Sequence, residues 1–547
     1  MCALSHPYAE FPLLKGLLPH LADPAAIDPD VLPAASGRPE PLSQPTPLET
    51  ALASQTVEAN KAGSFAAGAD PRRWMALGVI AIAQLMVVLD ASIVNIAMPS
   101  AQADLGISVA NRQWIITAYT LAFGGLLLLG GRIADYVGRK RMFVIGLLGF
   151  AAASALGGAA ANQGMLFASR GLQGAFGAIL APAALSLLTV TFTDAKERAR
   201  AFGVYGAIAG GGAAIGLIAG GVLTQYLDWR WCLFVNIPIA ILAAVAAIRI
   251  LSESKATGRT QYDIPGALLS ISGLVTLVYG FTQAGTHGWS SPQTYLYLIA
   301  AGVLLVSFVL VETRSKNPLL PMRVLTERNR GGAFLASLLT GVGMFGMFLF
   351  LTYYFQGILG YSALKAGFAF LPFSAGVIVA AGTASSLLPR FGPRPIMIAG
   401  FTLATGAMLW LTQITPTTAY TTHVLPAIIV LALGLGLVFV PLSNTALIGV
   451  ENRDAGVASA LVNTTQQIGG SLGTALLNTI AASATASYLV SHGPSPATRA
   501  GAAVHGFTTA FAWSSMFLFA AGIFTALLIT ATPQQLDAEE RAVAHLG

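Results

Sequence analysis

The sequence of 547 residues is strongly apolar: 55% of its residues are hydrophobic, 10% are charged, and the mean hydropathy is +0.70. Because about a quarter of the residues in ordinary soluble domains are charged, this composition excludes a soluble globular protein. The net charge of +6 does not indicate nucleic-acid binding, since the cations lie in short segments between apolar runs.

The first 73 residues differ from the rest of the chain. They are rich in proline, alanine and serine and carry scattered charges. They contain no basic segment followed by the apolar core of a signal peptide. This composition predicts a disordered cytoplasmic tail over residues 1–73.

Apolar runs of about twenty residues, the length needed to cross a bilayer, then follow one another along the chain. They predict an all-α polytopic membrane protein with fourteen transmembrane helices. Lys and Arg are concentrated in the connecting loops that lie on the same side of the membrane as the N-terminus. This predicts that both termini are cytoplasmic and that the protein lies in the cell membrane. The predicted spans are 75–98, 113–131, 142–161, 164–190, 201–226, 232–251, 264–283, 294–312, 332–356, 366–388, 395–413, 424–449, 456–482 and 507–530.

Two charged residues lie well inside predicted spans. Only Asp90 among the 23 acidic residues and only Arg170 among the 29 cations do so. Each such charge costs about 3 kcal/mol at the bilayer centre. Burial favours the neutral acid, whereas a nearby guanidinium favours the carboxylate, so Asp90 is predicted to take up and release a proton while Arg170 tunes its affinity. The alternative is a structural ion pair that joins the first and fourth helices.

A charged segment, Gly131 to Arg141, separates the second and third spans. It contains Asp135, Gly138 and three successive cations that begin at Arg139, and such a turn cannot lie in hydrocarbon. Asp135 is predicted to face the positive N-terminus of a helix in the opposite half. The alternative is that the cations only fix the topology.

Three segments resemble motifs of known transporters. Gly131 to Lys140 resembles the loop motif G-x-L-A-D-R-x-G-R-K of the major facilitator superfamily, with Tyr136 where the family commonly has a cation. The segment LDASIVNIAMP, which contains Asp90, resembles the first-helix motif L-D-x-T-I-V-N-V-A-L-P of the fourteen-helix drug:proton antiporters (EmrB/QacA type). The segment around Arg170 resembles their fourth-helix motif R-x-x-Q-G.

Glycines in the fifth span are similar to the antiporter motif G-x8-G-x3-G-P-x2-G-G, with Leu217 in place of the proline. The same glycines form a stripe of small residues that allows close helix packing. The glycines can thus be explained equally by helix packing or by a gating role. Without the proline, the expected kink in this helix is weaker. The glycines are Gly203, Gly212, Gly216, Gly220 and Gly221.

The resemblance covers residues 75–530 and implies the facilitator fold, two six-helix bundles with two helices inserted between them. It also implies export of a substrate in exchange for protons and associates Arg170 with proton transfer. It further implies that the loop with Gly131, Asp135, Gly138 and Arg139 locks the cytoplasmic gate in the outward-open state, with Arg139 in a charge relay.

An internal repeat supports this organisation. The segment Tyr136 to Gly146 is echoed by Arg390 to Gly400 at an offset of 254 residues, which is eight spans. Two parallel six-helix halves that flank two central helices fit this offset. The predicted domains are 74–251 for the first bundle, 252–325 for the two central helices and their loop, 326–531 for the second bundle, and 532–547 for a cytoplasmic tail.

Polar or amphipathic side chains inside the spans are predicted to line a large apolar cavity for an amphipathic organic molecule. The alternative for each one alone is a hydrogen bond to a neighbouring helix. These residues are Trp114, Tyr119, Gln173, Tyr353, Gln356, Asn444, Asn463, Gln466 and Gln467.

The leading hypothesis is proton-coupled efflux of amphipathic drugs or natural products by a monomer in the lipid bilayer, without a cofactor, a metal or a nucleic acid. An importer of a small organic solute is the alternative. A polytopic membrane enzyme is more remote, since the 7 histidines are scattered and no catalytic residues are predicted. The sequence contains no Gly-Lys-Ser/Thr nucleotide loop, which favours the proton gradient as the energy source.

Overall fold

The computed structural model describes residues 72–192, 194–255, 263–315, 318–450, 454–493 and 495–535. All regular structure within these ranges is helical. The predicted tail lies almost entirely outside the described residues, since residues 1–71 are not described, and the same holds for residues 536–547. The long helices are α1 (Arg73–Asp104), α2 (Trp114–Val137), α3 (Arg139–Gly158), α4 (Gln163–Thr191), α5 (Ala195–Tyr226), α6 (Asn236–Ile250), α7 (Ile264–His287), α8 (Pro292–Arg314), α9 (Arg328–Tyr353), α10 (Leu371–Phe391), α11 (Pro393–Leu411), α12 (Leu425–Thr445), α13 (Ala455–His492) and α14 (Pro496–Leu528).

Shorter elements extend some of these helices. Trp231–Phe234 precedes α6, and Ala363–Ala369 precedes α10. Single π-helical turns, Tyr354–Ile358 and Tyr420–Val424, follow α9 and precede α12. A further short helix, Met322–Leu325, lies just before α9.

Thirteen helices in the described part of the chain are long and apolar enough to cross a membrane. The fourteenth long helix, α13, has 38 residues and is the longest, but its many Asn, Gln, Ser and Thr side chains lower its hydropathy. The predicted all-α polytopic fold is confirmed.

The chain forms these helix ends for local chemical reasons. The side chains of Asn162, Asp194 and Asp263 cap α4, α5 and α7, each accepting a hydrogen bond from the backbone N–H three residues further on, at 2.8 to 2.9 Å. Gly138 separates α2 from α3, and Gly392 separates α10 from α11. Both have positive φ, 134° and 75°, a conformation that favours glycine.

Helix packing repeats with a shift of eight helices. In the first half α1 packs on α5, α2 on α4, and α3 on α4 and α6; in the second half α9 packs on α13, α10 on α12, and α11 on α12 and α14. The offset of 254 residues holds in detail, since a Cβ on Gly146 would approach Leu180 and a Cβ on Gly400 would approach Gly434. The repeated segment is thus part of two similarly packed six-helix bundles.

The halves meet along two helix pairs, α2 with α13 and α5 with α10. The α7–α8 hairpin packs through α7 against α2 and α13, while most of α8 is exposed. It therefore lies beside one of the two contacts between the halves.

The α5–α10 contact between the halves is closed at one end and open at the other. At the end of the α1–α2 loop, a Cβ on Gly221 of α5 would lie 2.6 Å from Leu364 Cα in the other half. At the end of the α2–α3 loop, the Cβ positions of Gly203 on α5 and Gly382 on α10 have no described atom within 4 Å. We refer to these as the closed end and the open end.

Candidate functional site

Asp90 lies at the centre of a buried polar network in the first half. Its carboxylate, 0% exposed, accepts hydrogen bonds from Arg170 Nη1 at 2.7 Å, from Gln173 Nε2 at 3.0 Å and from Asn236 Nδ2 at 2.7 Å. Gln173 Nε2 also donates to Ser154 Oγ at 2.6 Å. Helices α1, α3, α4 and α6 each contribute to this site. All three partners named here donate to the carboxylate, so the site is arranged around an acceptor.

Arg170, 2% exposed, is held on several sides. Its Nη1 donates to Gln173 Oε1 at 2.7 Å, and its Nε donates to the carbonyl of Ile115 at 3.0 Å. The guanidinium carbon lies 4.5 Å from the centroid of the Tyr119 ring, within cation–π range. The Gln173 amide is oriented unambiguously, because its oxygen faces a cation and its nitrogen faces a carboxylate. The predicted proximity of Asp90 and Arg170 is therefore part of a larger network.

Sequence reasoning missed two members of this network. Asn236 is the only amide in the predicted span 232–251, and a lone amide in an apolar span is a signal that could have identified it. Ser154 gives no such signal, because small hydroxyl residues are common in membrane helices. The structure also places Gln173, predicted as a substrate contact, beside Asp90.

The charged loop is held together within its own half. Asp135 Oδ1 accepts hydrogen bonds from Arg139 Nε at 2.8 Å and from Ser186 Oγ at 3.4 Å. Within the described ranges, no contact joins Asp135 to a helix N-terminus of the opposite half. That contact would need the two halves to approach at this end, which is open here.

Glu253, which the sequence did not single out, binds the N-terminus of α3. Its carboxylate accepts hydrogen bonds from the backbone N–H groups of Lys140 and Arg141, at 3.0 and 3.1 Å. A Cβ on Gly138 would lie 2.8 Å from this carboxylate. A glycine is therefore favoured at this position for two reasons: the close approach of Glu253 and the positive φ. The carboxylate is favourable there because the N-terminus of a helix is positive.

The glycine stripe of α5 packs against α1 on both sides of Asp90. A Cβ on Gly216 would lie 2.9 Å from the carbonyl oxygen of Leu89, and one on Gly220 would lie 2.8 Å from that of Ile93. Gly212 approaches the side chain of Val88, also on α1. Gly221 contacts the second half instead, and Gly203 lies in open space.

Comparison with known proteins assigns this architecture. The family model described as the Major Facilitator Superfamily matches residues 80–474. The chain belongs to the major facilitator superfamily. The predicted family is confirmed, and the protein is a multi-pass membrane protein of a family of transporters.

Two relatives and one solved structure illustrate the similarity. This facilitator is 52% identical over 474 residues to the puromycin resistance protein of Streptomyces alboniger, covering 86% of this chain and 94% of that protein. It is 39% identical over 414 residues to the cephamycin export protein of Amycolatopsis lactamdurans, covering 75% and 85%. A bacterial homolog to the human lysosomal transporter Spinster, in an inward-facing and occupied conformation, has a TM-score of 0.62 at 16% identity, covering 86% of this chain and 99% of that chain, and shows the same fold.

Among the predicted substrate contacts of this facilitator, four lie in packed regions. Trp114 packs against the cluster of Leu121, Leu274, Val278 and Ala475. Tyr119 is buried beneath the Arg170 guanidinium. Tyr353 donates to Gln102 Oε1, and Gln356 Nε2 donates to the carbonyl of Ile96 at 2.9 Å. Tyr353 and Gln356 thus join the two halves near the closed end.

Apart from Gln173 on α4, the remaining predicted contacts lie on α12 and α13 of the facilitator. Asn444 and Asn463 are exposed, at the ends of their helices that face the open end. Gln466 and Gln467 are half-buried. The backbone carbonyl of Gln466 lies against Gly341 of α9, and the Cβ of Gln467 lies against Gly124 of α2. The structure therefore does not gather the nine predicted contacts into one cluster.

A buried cation that sequence reasoning missed joins the two halves at the closed end. Arg112, in the α1–α2 loop, is 6% exposed and donates through Nε to Asn478 Oδ1 on α13 at 2.9 Å. Its guanidinium carbon lies 4.0 Å from the centroid of the Tyr353 ring. Burial lowers the pKa of Arg112, while Tyr353 opposes this shift. The side chain stays protonated, since arginine ionises far above physiological pH.

Proposed function

We propose that this facilitator exports amphipathic drugs or natural products in exchange for protons, by alternating access. The observation that carries the proposal is the Asp90 site, where a fully buried carboxylate in the first half is bonded to the Arg170 guanidinium at 2.7 Å. A carboxylate that is buried within a membrane span is costly, and an acid that can bind and release a proton is a reason to retain it.

The Asp90 site offers a means of accepting a proton. Gln173 is held at both ends of its amide, but Asn236 Oδ1 is buried and has no hydrogen-bond partner among the described residues. Rotation of the Asn236 amide by half a turn would present this oxygen to Asp90. A protonated Asp90 would then donate to Asn236, so both protonation states of the acid have a matching partner.

The substrate class follows from the relatives. Their names associate one with resistance to puromycin and the other with export of cephamycin, both antibiotics. We therefore propose an antibiotic or a similar amphipathic natural product as the substrate. Transport rather than catalysis is the proposed activity, with the proton gradient rather than a bound cofactor as its energy source.

The proposed orientation places both termini and the open end in the cytoplasm of the cell. Loops on this side carry most of the Lys and Arg residues, including the three successive cations from Arg139 to Arg141. With this orientation the structure is open to the cytoplasm, the side from which an exporter loads its substrate. Asp135 and Arg139 then belong to a cytoplasmic gate that is not engaged in this state.

The test is transport by purified protein in proteoliposomes. Radiolabelled puromycin would be the probe, and its movement would be followed with and without an imposed pH difference. The wild type should drive puromycin opposite to the proton gradient. Asp90→Asn keeps the shape of the acid but cannot release a proton, so gradient-driven movement should fall to the rate of passive leak.

The matched control is Asp228→Asn, which changes an exposed aspartate in the turn between α5 and α6 and should transport normally. Full gradient-driven movement by Asp90→Asn would exclude Asp90 as the coupling residue. Movement of puromycin in the same direction as protons would identify an importer instead.

A further inference from the structure

A second buried acidic site lies where the α7–α8 hairpin begins and ends. Glu312, in the last turn of α8, is 2% exposed, and Asp263, the N-cap of α7, is 7% exposed. The sequence places Glu312 at the edge of the predicted span 294–312 and singles out Asp90 alone. Its burial arises from the tertiary contact between the two ends of the hairpin.

The two carboxyl groups converge on Gly266. A Cβ on this glycine would lie 2.6 Å from Glu312 Oε1 and 3.0 Å from Asp263 Oδ1. Glu312 Oε2 accepts a hydrogen bond from the backbone N–H of Leu320 at 3.0 Å, and Asp263 Oδ1 accepts one from the N–H of Gly266 at 2.8 Å. The remaining oxygens, Glu312 Oε1 and Asp263 Oδ2, are buried and have no hydrogen-bond partner within the described ranges.

A third charged group completes the site. Among the described residues, the charged groups that face the Glu312 carboxyl are Asp263 on α7 and Arg132 on α2. Arg132 follows Gly131 of the charged loop and donates through Nη2 to the carbonyl of Pro318, in the segment that also contains Leu320. The hairpin is thus held next to the loop that contains the gate residues.

Among the described residues, the charges of this site balance when one proton is added. Two ionised carboxylates beside one guanidinium would leave a net negative charge in a buried position, and adjacent like charges oppose simultaneous ionisation. An unpaired buried carboxylate oxygen is also costly. A proton on one acid removes the excess charge and supplies a donor for the other acid.

We propose that Asp263 and Glu312 together bind one proton, carried on Glu312 Oε1, at a site separate from Asp90. Asp263 keeps its charge because it caps the positive N-terminus of α7. Arg132 sets how tightly the proton is held, so a movement of α2 relative to the hairpin releases or admits it. This site lies at the open end and would respond to pH on that side of the membrane.

The experiment measures protons bound by purified protein in lipid nanodiscs, without substrate or a gradient. Proton uptake would be followed with a pH indicator as the pH falls from about 8 to about 5. Free carboxyl groups titrate below this interval, so they contribute little to the uptake. Infrared difference spectra over the same interval would report the carbonyl stretch of protonated acids. The wild type should take up about one proton at this site.

Glu312→Gln and Asp263→Asn should each abolish this uptake and its infrared band. The double variant should lose no more than either single variant, because the two acids share one proton. Asp263→Asn preserves the helix cap and so provides a second route if Glu312→Gln folds poorly. Arg132→Gln should move the uptake to higher pH, because the cation no longer opposes protonation.

The matched control is Asp194→Asn, which changes an exposed N-cap aspartate on α5 in the same way. Uptake and infrared spectra in Glu312→Gln and Asp263→Asn that match the wild type would overturn the proposal. Loss of about two protons in the double variant would show two independent acids instead. Because no transport is measured, the outcome is independent of whether the protein exports drugs.

Discussion

In the first half, helices α1, α3, α4 and α6 meet around a carboxylate, a guanidinium and two amides, whereas the second half repeats the packing around apolar side chains. At the offset of 254 residues, Ser154 corresponds to Met408, Arg170 to Val424, and Gln173 to Ala427. All six are buried. The same architecture therefore forms without the charges, so the Asp90 network is not needed to build a six-helix bundle.

Aromatic packing contributes to the core of the second half. Phe350 of α9 is completely buried, and its ring centroid lies 5.7 Å from that of Phe507 and 6.1 Å from that of Phe511, both on α14. Such ring pairs add to the contribution of apolar burial. One half thus combines packing with titratable chemistry, while the other relies on apolar and aromatic packing at the corresponding positions.

The largest expected effect is that of Arg170→Ala. Removing the guanidinium leaves Asp90 as an uncompensated buried charge, which should cost about 3–5 kcal/mol of stability and abolish export. Arg170→Lys should keep part of the activity, since lysine retains the charge but not the planar fork. Thermal unfolding in detergent and puromycin transport would check both effects.

The control for this prediction is Val424→Ala, at the corresponding position of the second half, which should lower stability less and leave transport coupled. Wild-type stability and export in Arg170→Ala would show that the ion pair is dispensable.

Phe350→Ala should lower stability, as Arg170→Ala does, but leave proton coupling unchanged. The lost packing in the apolar half should lower stability by about 3–5 kcal/mol. The number of protons exchanged per substrate should not change, because this ring contacts no titratable side chain in the Asp90 network. The measurement is the transport stoichiometry of the folded fraction in proteoliposomes, and an altered ratio would contradict the division between the halves.

Asp135→Asn should have a smaller effect, on rate. The acid occurs only in the first copy of the repeat, since Pro389 stands at the corresponding position of the second copy. Weakening its bond to Arg139 should slow turnover several-fold while leaving substrate affinity unchanged. Rapid-mixing transport together with equilibrium binding would separate the two quantities, and a loss of affinity at an unchanged rate would contradict a gate role.

The smallest expected effect is at Glu327, the N-cap of α9, which accepts hydrogen bonds from the backbone N–H groups of Asn329 and Arg330 at 3.1 and 2.9 Å. Burial raises the pKa of Glu327, but these bonds, the Asn329 side chain and the Arg330 charge together bring it below the ordinary value of 4.5. The stabilisation is therefore present above pH 4.5 and is lost as the pH falls through the folded pKa.

Glu327→Ala should cost about 1 kcal/mol near neutral pH. Thermal unfolding of both proteins at several pH values would measure the difference, which should shrink at acidic pH. A constant difference would show that the charge of Glu327 does not contribute.

The sequence predicts best those features that a bilayer makes costly. Asp90 and Arg170 stand out because a lone charge within an apolar run has no local explanation, and the helix count follows from the length of the runs. Gly138 and Gly392 likewise reveal the internal repeat in the sequence, because they occupy equivalent positions 254 residues apart. These features require no knowledge of which helices are neighbours.

Features that depend on tertiary contact escape such reasoning. Arg112, Glu253 and Glu312 lie near helix ends, where the sequence suggests solvent, and the structure surrounds Arg112 and Glu312 with protein. Ser154 belongs to a residue type that membrane helices use routinely. The contacts of Asp135 depend on how closely the two halves approach at its end of the molecule, which the sequence does not specify.

The polarity of α13 has a consequence for how the chain enters the membrane during synthesis. Its side chains Ser471, Asn478 and Thr479 bond to Thr120 of α2, to Gln113 at the N-cap of α2 and to Phe281 of α7, all of which are translated long before it. A helix of this composition gains little from lipid alone, so we expect its insertion to depend on protein partners already in the bilayer. Biogenesis of the second half should therefore wait for a docking site that the earlier helices build.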